Sequence, residues 1–139
     1  MQIQYQGQTA FALNGSDASV ALHLPSEKIN NADIIIPAKE NAQGSKVSGN
    51  VFDWPGEYEA NGISVQLIPV GKESPALVAK IIVDNIAIAH LDNLQIALTE
   101  KEEERIGSVD VLLISIGKNS ALSEKQIKNT IEAIEPKII

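Results

Sequence analysis

The 139-residue chain predicts an α+β fold, and three observations carry that reading. The first two thirds are apolar runs of strand length, alternating or continuous, separated by Asn-Gly, Asp-Asn and glycine-containing turns. The last third changes period, with two capping-box patterns, Thr99-x-x-Glu102 and Ser123-x-x-Gln126, each opening a helix. Strands grouped ahead of helices, with no internal repeat and no low-complexity linker, fit one domain over 1–139.

The elements follow in order. Gln2 to Tyr5 and Thr9 to Leu13 alternate, Asn14 to Asp17 make a tight turn, and Ser19 to Leu24 alternates again. Ala32 to Ile36 is a short continuous apolar run, as expected of a strand buried on both faces, and Pro37 limits its extension. Residues 40–50 are small, polar and glycine-containing, which predicts a loop. Val51 to Phe52, Gly62 to Val70 and Ala76 to Val83 are further strands, and Asp84-Asn85 turns the chain into Ile86 to His90.

The helix opened by Thr99 stops at Gly107 and has almost no apolar stripe, which places it on the surface. Val109 to Ile116 is the strongest candidate for a central strand. The Ser123 helix carries Ile127, Ile131 and Ile134 on one face and ends at Pro136. Lys137-Ile138-Ile139 begins another strand.

Composition narrows function by exclusion. The chain has no cysteine, so thiol nucleophiles, redox pairs and cysteine-based zinc sites are ruled out. Eleven Lys+Arg against eighteen Asp+Glu give a net charge of −7, and Arg105 is the only arginine. Phosphate backbones call for a basic face, so nucleic acid is not an expected partner. No apolar run approaches the ~18 residues of a spanning helix and Met1 to Tyr5 is not a signal sequence, so a cytoplasmic location without membrane contact is expected.

Residue chemistry alone defines no catalytic centre. There is no G-x-S-x-G or G-x-G-x-x-G, and Gly117-Lys118 lacks the earlier glycine of a P-loop, with Leu112 in its place. Of the two histidines, His90 with Asp92 offers a pair of ligands at a strand end, although a lone histidine there is more often packed or solvated. His23 lies in an alternating run and reads as structural. Glu57 and Glu59, two apart on an extended segment, read as a solvated strand face unless a desolvating partner joins them.

Several segments, in order, resemble one family. They are Tyr5-x-Gly7-x-x-Ala10-Phe11, Ala32-Asp33-Ile34-Ile35-Ile36, Pro55-Gly56-Glu57-Tyr58-Glu59, His90-Leu91-Asp92-Asn93, Val109-Asp110-Val111-Leu112-Leu113-Ile114 and Ile134-Glu135-Pro136-Lys137-Ile138-Ile139. The chain resembles the small metallo-β-lactamase-fold hydrolases, in the branch similar to L-ascorbate-6-phosphate lactonase. The resemblance implies an αββα sandwich shortened at its C-terminal end. It also implies a centre holding zinc, manganese or a similar ion that lowers the pKa of bound water.

The residues at the implied ligand positions do not suit that centre. Where the family carries H-x-H-x-D-H, this chain has Lys39, Asn41, Gln43 and Gly44 in place of the ligands. A protonated lysine repels a cation and amides bind zinc weakly. The bridging carboxylate position is Asn93, and Asp92, one position early, points to the other side of an extended backbone. Gly71 to Pro75 contains no histidine, and the sequence ends at Ile139 before the family's last one.

The expected function is therefore that of a pseudoenzyme with no cofactor, binding or scaffolding through a retained surface, as a homodimer or with a protein partner. The alternative is a metal-dependent, lactonase-like hydrolase with a rearranged site of His90, Asp92 and Glu57 or Glu59.

Overall fold

Turn chemistry builds the first sheet. The computed structural model describes residues 1–29, 31–38, 48–72, 76–92, 94–117 and 120–139. Strand β1 (Gln2–Gly7) pairs antiparallel with β2 (Ala10–Asn14) through a turn with left-handed φ at Gly7 and Gln8. The next turn returns the chain as β3 (Ser19–Leu22), closed by the Gly15 N–H donating to the Ala18 carbonyl at 2.9 Å. A side chain at Gly15 has no room, since a Cβ would lie 2.6 Å from Val83 Cγ2 of the facing sheet.

Strand β4 (Ile34–Ile36) lies parallel to β3, and β5 (Asn50–Val51) parallel to β4. All three isoleucines of β4 are buried, as its unbroken apolar run requires. Asp33, just before it, accepts hydrogen bonds from the Ser19 N–H (2.9 Å), Ser19 Oγ (3.0 Å) and Asn61 Nδ2 (3.0 Å). These bonds, the Ser19 backbone one foremost, hold its carboxyl below the usual range. The carboxylate thus fastens the first sheet to a turn of the second.

The second sheet is a meander of β6 (Gly56–Ala60), β7 (Ile63–Val70), β8 (Ala76–Val83) and β9 (Ile86–His90), with β10 (Val111–Leu113) parallel to β9. Two-residue turns at Asn61-Gly62 and Asp84-Asn85 hold positive φ at both positions, the geometry that matches strand twist.

The two sheets pack face to face as the expected sandwich. Leu13, Val20, Leu22, Ile34 and Ile36 of the first meet Ile63, Val65, Leu67, Ile81, Ile88 and Val111 of the second. On the second sheet's other face, Ile68, Val70, Val78, Ala89 and Leu112 pack against Ile106 of α1 (Glu100–Ile106) and Ile127 and Ile134 of α2 (Glu124–Ile134). The first sheet's outer face carries Ala10, Ala21 and Ile35 with Leu24 and Ala32.

One strand assignment is corrected. Val109 to Ile116 does not form a long central strand: only Val111–Leu113 is strand, and β10 stands last in its sheet beyond β9. The unbroken apolar run reports burial on both faces, because Val111 faces the sandwich interior and Leu112 the helices. Ile138 bridges the outer side of β10, accepting from the Leu112 N–H at 2.9 Å, so the Lys137 to Ile139 segment starts alongside it.

Both capping boxes form as read. Thr99 and Ser123 cap α1 and α2, with Glu102 and Gln126 reaching back to the cap N–H groups at 2.7 and 2.9 Å. Ile106 is the only buried residue of α1, in keeping with its missing apolar stripe. Replacing Ser123 by Ala leaves the Gln126 N–H without its side-chain acceptor. The expected loss is about 1 kcal/mol, read as a lower urea midpoint at unchanged slope.

Candidate functional site

Three turns converge at one rim of the sandwich. Strands β3 and β4 run parallel and end together, where the His23 N–H donates to the Ile36 carbonyl at 2.8 Å. His23 lies one residue past β3 with φ 53°, so its side chain leaves the strand's alternation. From the other sheet, β9 ends at His90 on the face turned toward the first sheet, in the same row as Ala79. Asp92 follows, also with φ 53°, its carbonyl accepting from Ser115 Oγ at 3.2 Å. The β1–β2 turn supplies Thr9.

The side chains meet closely. The His23 and His90 rings lie 4.7 Å apart, edge to face at 84°. His23 Nδ1 is 3.1 Å from Thr9 Oγ1 and 3.4 Å from Asp92 Oδ1. His90 Nε2 is 2.9 Å from the Thr9 carbonyl, which can only accept, so that nitrogen carries the proton. Nδ1 of His90 is then a lone-pair acceptor, buried and without a hydrogen-bond partner. Phe11 closes the far side of His90 at 5.7 Å, with Tyr5 beyond it.

Burial dominates the electrostatics. His90 is 2% exposed, and this burial, reinforced by the neighbouring His23, pushes its pKa down to about 3. The imidazole is neutral at physiological pH. A base that weak cannot draw a proton effectively near neutrality, where a useful general base has a pKa close to the working pH.

The residues singled out from sequence are distributed unevenly about this rim. His90 and Asp92 come together there. Glu57 and Glu59 do not: β6 lies three strands from β9, roughly 14 Å at ordinary strand spacing. Register places Glu57 in a row with Gln66, Lys80 and Ala89, on the helix side of the sheet, opposite His90. Glu57 instead accepts from Gln66 Nε2 at 3.2 Å. Lys39, Asn41, Gln43, Gly44 and Asn93 lie outside the described residues.

Thr9 was not singled out from sequence and His23 was read as structural, because only the shared end of β3, β4 and β9 brings them to His90. No local pattern announces that meeting. An open groove of about 750 Å³ runs along α2 between Ile116, Leu122, Ile127 and Ile131, but no histidine or aspartate lines it. Its charged lining is Glu124, Lys128 and Glu132 of α2, whereas the two histidines meet at the rim.

Residues 2–139 match the family described as the beta-lactamase superfamily domain, and the chain belongs to it. Among solved structures it is similar to a Thermotoga maritima protein described as a candidate zinc-dependent hydrolase of the metallo-β-lactamase superfamily. That likeness has 29% identity and a TM-score of 0.82, covering 98% of this chain and 72% of that one. It also resembles YhfI of Bacillus subtilis, a metallo-β-lactamase fold protein, over 93% of this chain and 76% of that one, with a TM-score of 0.67. Identity there is 6%, so this second likeness concerns the fold alone. No curated protein gives a significant match. No helix among the described residues is long and apolar enough to cross a membrane.

The fold family raises the question of a metal, and the described side chains do not fit one. His90 alone has a metal ligand's supporting geometry, one ring nitrogen donating to a backbone carbonyl and the other free. His23 Nδ1 is engaged with Thr9 and Asp92. Among the described residues, no group of three or more histidines and carboxylates is placed to hold an ion.

Proposed function

We propose that this chain is a non-catalytic member of the family, from the branch that resembles L-ascorbate-6-phosphate lactonase, acting as a binding or scaffolding module through the rim at His23, His90 and Asp92. The observation that carries this reading is the donor set at the rim: His90 is buried and tied through Nε2 to Thr9, His23 Nδ1 is engaged with Thr9 and Asp92, and among the described residues no group of three or more histidines and carboxylates is placed to hold an ion. His90 Nδ1 is enclosed and His23 is nearly so, which leaves Asp92, 29% exposed, as the rim side chain open to a partner. The residues at the implied ligand positions, Lys39, Asn41, Gln43, Gly44 and Asn93, support the same reading by chemical type.

The second reading is a metal-dependent hydrolase with a rearranged site. It is favoured by the carbonyl-anchored His90 and by the description of the Thermotoga maritima neighbour. Metal content separates the two. Protein purified without chelators or an affinity tag is expected to contain far less than one metal per chain by mass spectrometry. Zinc, manganese or iron near one per chain would overturn the non-catalytic reading.

A further inference from the structure

We infer that β1 is a pairing edge for a second copy of this chain, joined antiparallel about Gln4 so that the first sheets of two copies become continuous. The two sheets present four outermost strands, and three of them are shielded among the described residues. β5 is two residues long, β6 carries Glu57 and Glu59, and β10 has Ile138 bridged to its outer side. Short length, charge and cover are the usual ways in which an edge is kept from pairing.

β1 has little of this protection. Its residues, Gln2-Ile3-Gln4-Tyr5-Gln6-Gly7, include no charge and no proline in a chain of net charge −7. Its one irregularity, a register shift between Tyr5 and Gly7, falls on Gln6, so 2–5 pair regularly with β2 and the two Gln2–Gln6 ends of a symmetric contact are its less regular part. Approach along this strand brings no like-charged side chains together, whereas most of the acidic surface resists association.

The sequence of the strand argues for self-pairing. Residues 2–6 read nearly the same in both directions, so an antiparallel pair centred on Gln4 places Gln2 opposite Gln6, Gln4 opposite Gln4, and Ile3 opposite Tyr5. Each glutamine amide both donates and accepts, so facing glutamines satisfy one another. Tyr5, 65% exposed in the single chain, gains the half-buried Ile3 of the other copy as an aromatic–aliphatic neighbour. A two-fold interface needs this self-complementarity.

One strand buries less than the roughly 1,200 Å² of a stable interface, so the dimer is weak, with a Kd on the order of 100 μM. Salt strengthens it by screening the net charge. Sedimentation of the intact chain from about 10 μM to about 1 mM tests the inference, with circular dichroism confirming that each variant folds. The wild type is expected to dimerise with rising concentration. Gln4→Lys places like charges on the axis and weakens the dimer at least tenfold, as does Gln2→Lys with Gln6→Lys.

Gln2→Lys with Gln6→Glu sets opposite charges face to face and keeps the dimer, which only the antiparallel register allows. A monomer at every concentration, or a dimer indifferent to these changes, would overturn the inference.

Discussion

Replacing Ile88 by Ala is expected to cost about 3 kcal/mol and to lower Tm by roughly 10 °C. Ile88 is fully buried on the inner face of β9, opposite Ile81 of β8 and Val111 of β10, where the two sheets meet. Truncation removes three carbons from a layer that nearby β-branched side chains cannot easily refill, so the loss of transfer energy is joined by the cost of a cavity. Urea titration at about pH 7 provides the measurement. A change under about 1 kcal/mol would mean that the sheets close around the gap and that the interior is looser than its packing implies.

Acidification is expected to destabilise the protein through His90, by roughly 2 kcal/mol between about pH 7 and about pH 5. Its folded pKa is depressed from 6.5 to about 3 by burial and by His23. The unfolded chain therefore binds a proton in the interval between those values and the native state does not. The stabilisation is complete above about 6.5 and is lost as pH falls toward 3, because unfolding takes up the proton. His23 and Asp92 are the titratable side chains that the rim places against it.

His90→Gln keeps a side-chain N–H for the Thr9 carbonyl but cannot titrate. The variant should have a visibly flatter stability profile over the same interval, measured by urea midpoints at each pH. Parallel profiles for the two proteins would show that another group drives the acid limb.

Much of the fold was legible because it rests on local chemistry. The Asn61-Gly62 and Asp84-Asn85 turns need left-handed backbone, the two capping boxes satisfy helix N–H groups within four residues, and Ile34–Ile36 is apolar on both faces. Ile127 and Ile134 faced the core as their spacing required, with Ile131 partly buried beside them. The run from Val109 was misplaced for an equally physical reason. Hydrophobicity reports how many faces are covered, and an outermost strand between a facing sheet and a helix layer is covered twice.

The site was legible only in part. His90-x-Asp92 was identified by residue type, but Glu57 and Glu59 were joined to it for want of register, which places them on the opposite face. His23 was read as structural because strand alternation was extended two residues too far, to Leu24; its positive φ turns it to the rim.

By itself, then, the sequence determined most of the strands, the turns and the capped helices, the absence of thiol chemistry, and the identity of the side chains at the implied ligand positions. Tertiary structure alone decided which residues share the rim and what state His90 is in. Strand periods and caps are short-range, set by φ, ψ and burial within a few residues. The meeting of Thr9, His23 and His90 spans 81 positions from Thr9 to His90, and the depressed pKa comes from being enclosed by both sheets, a condition no local segment contains.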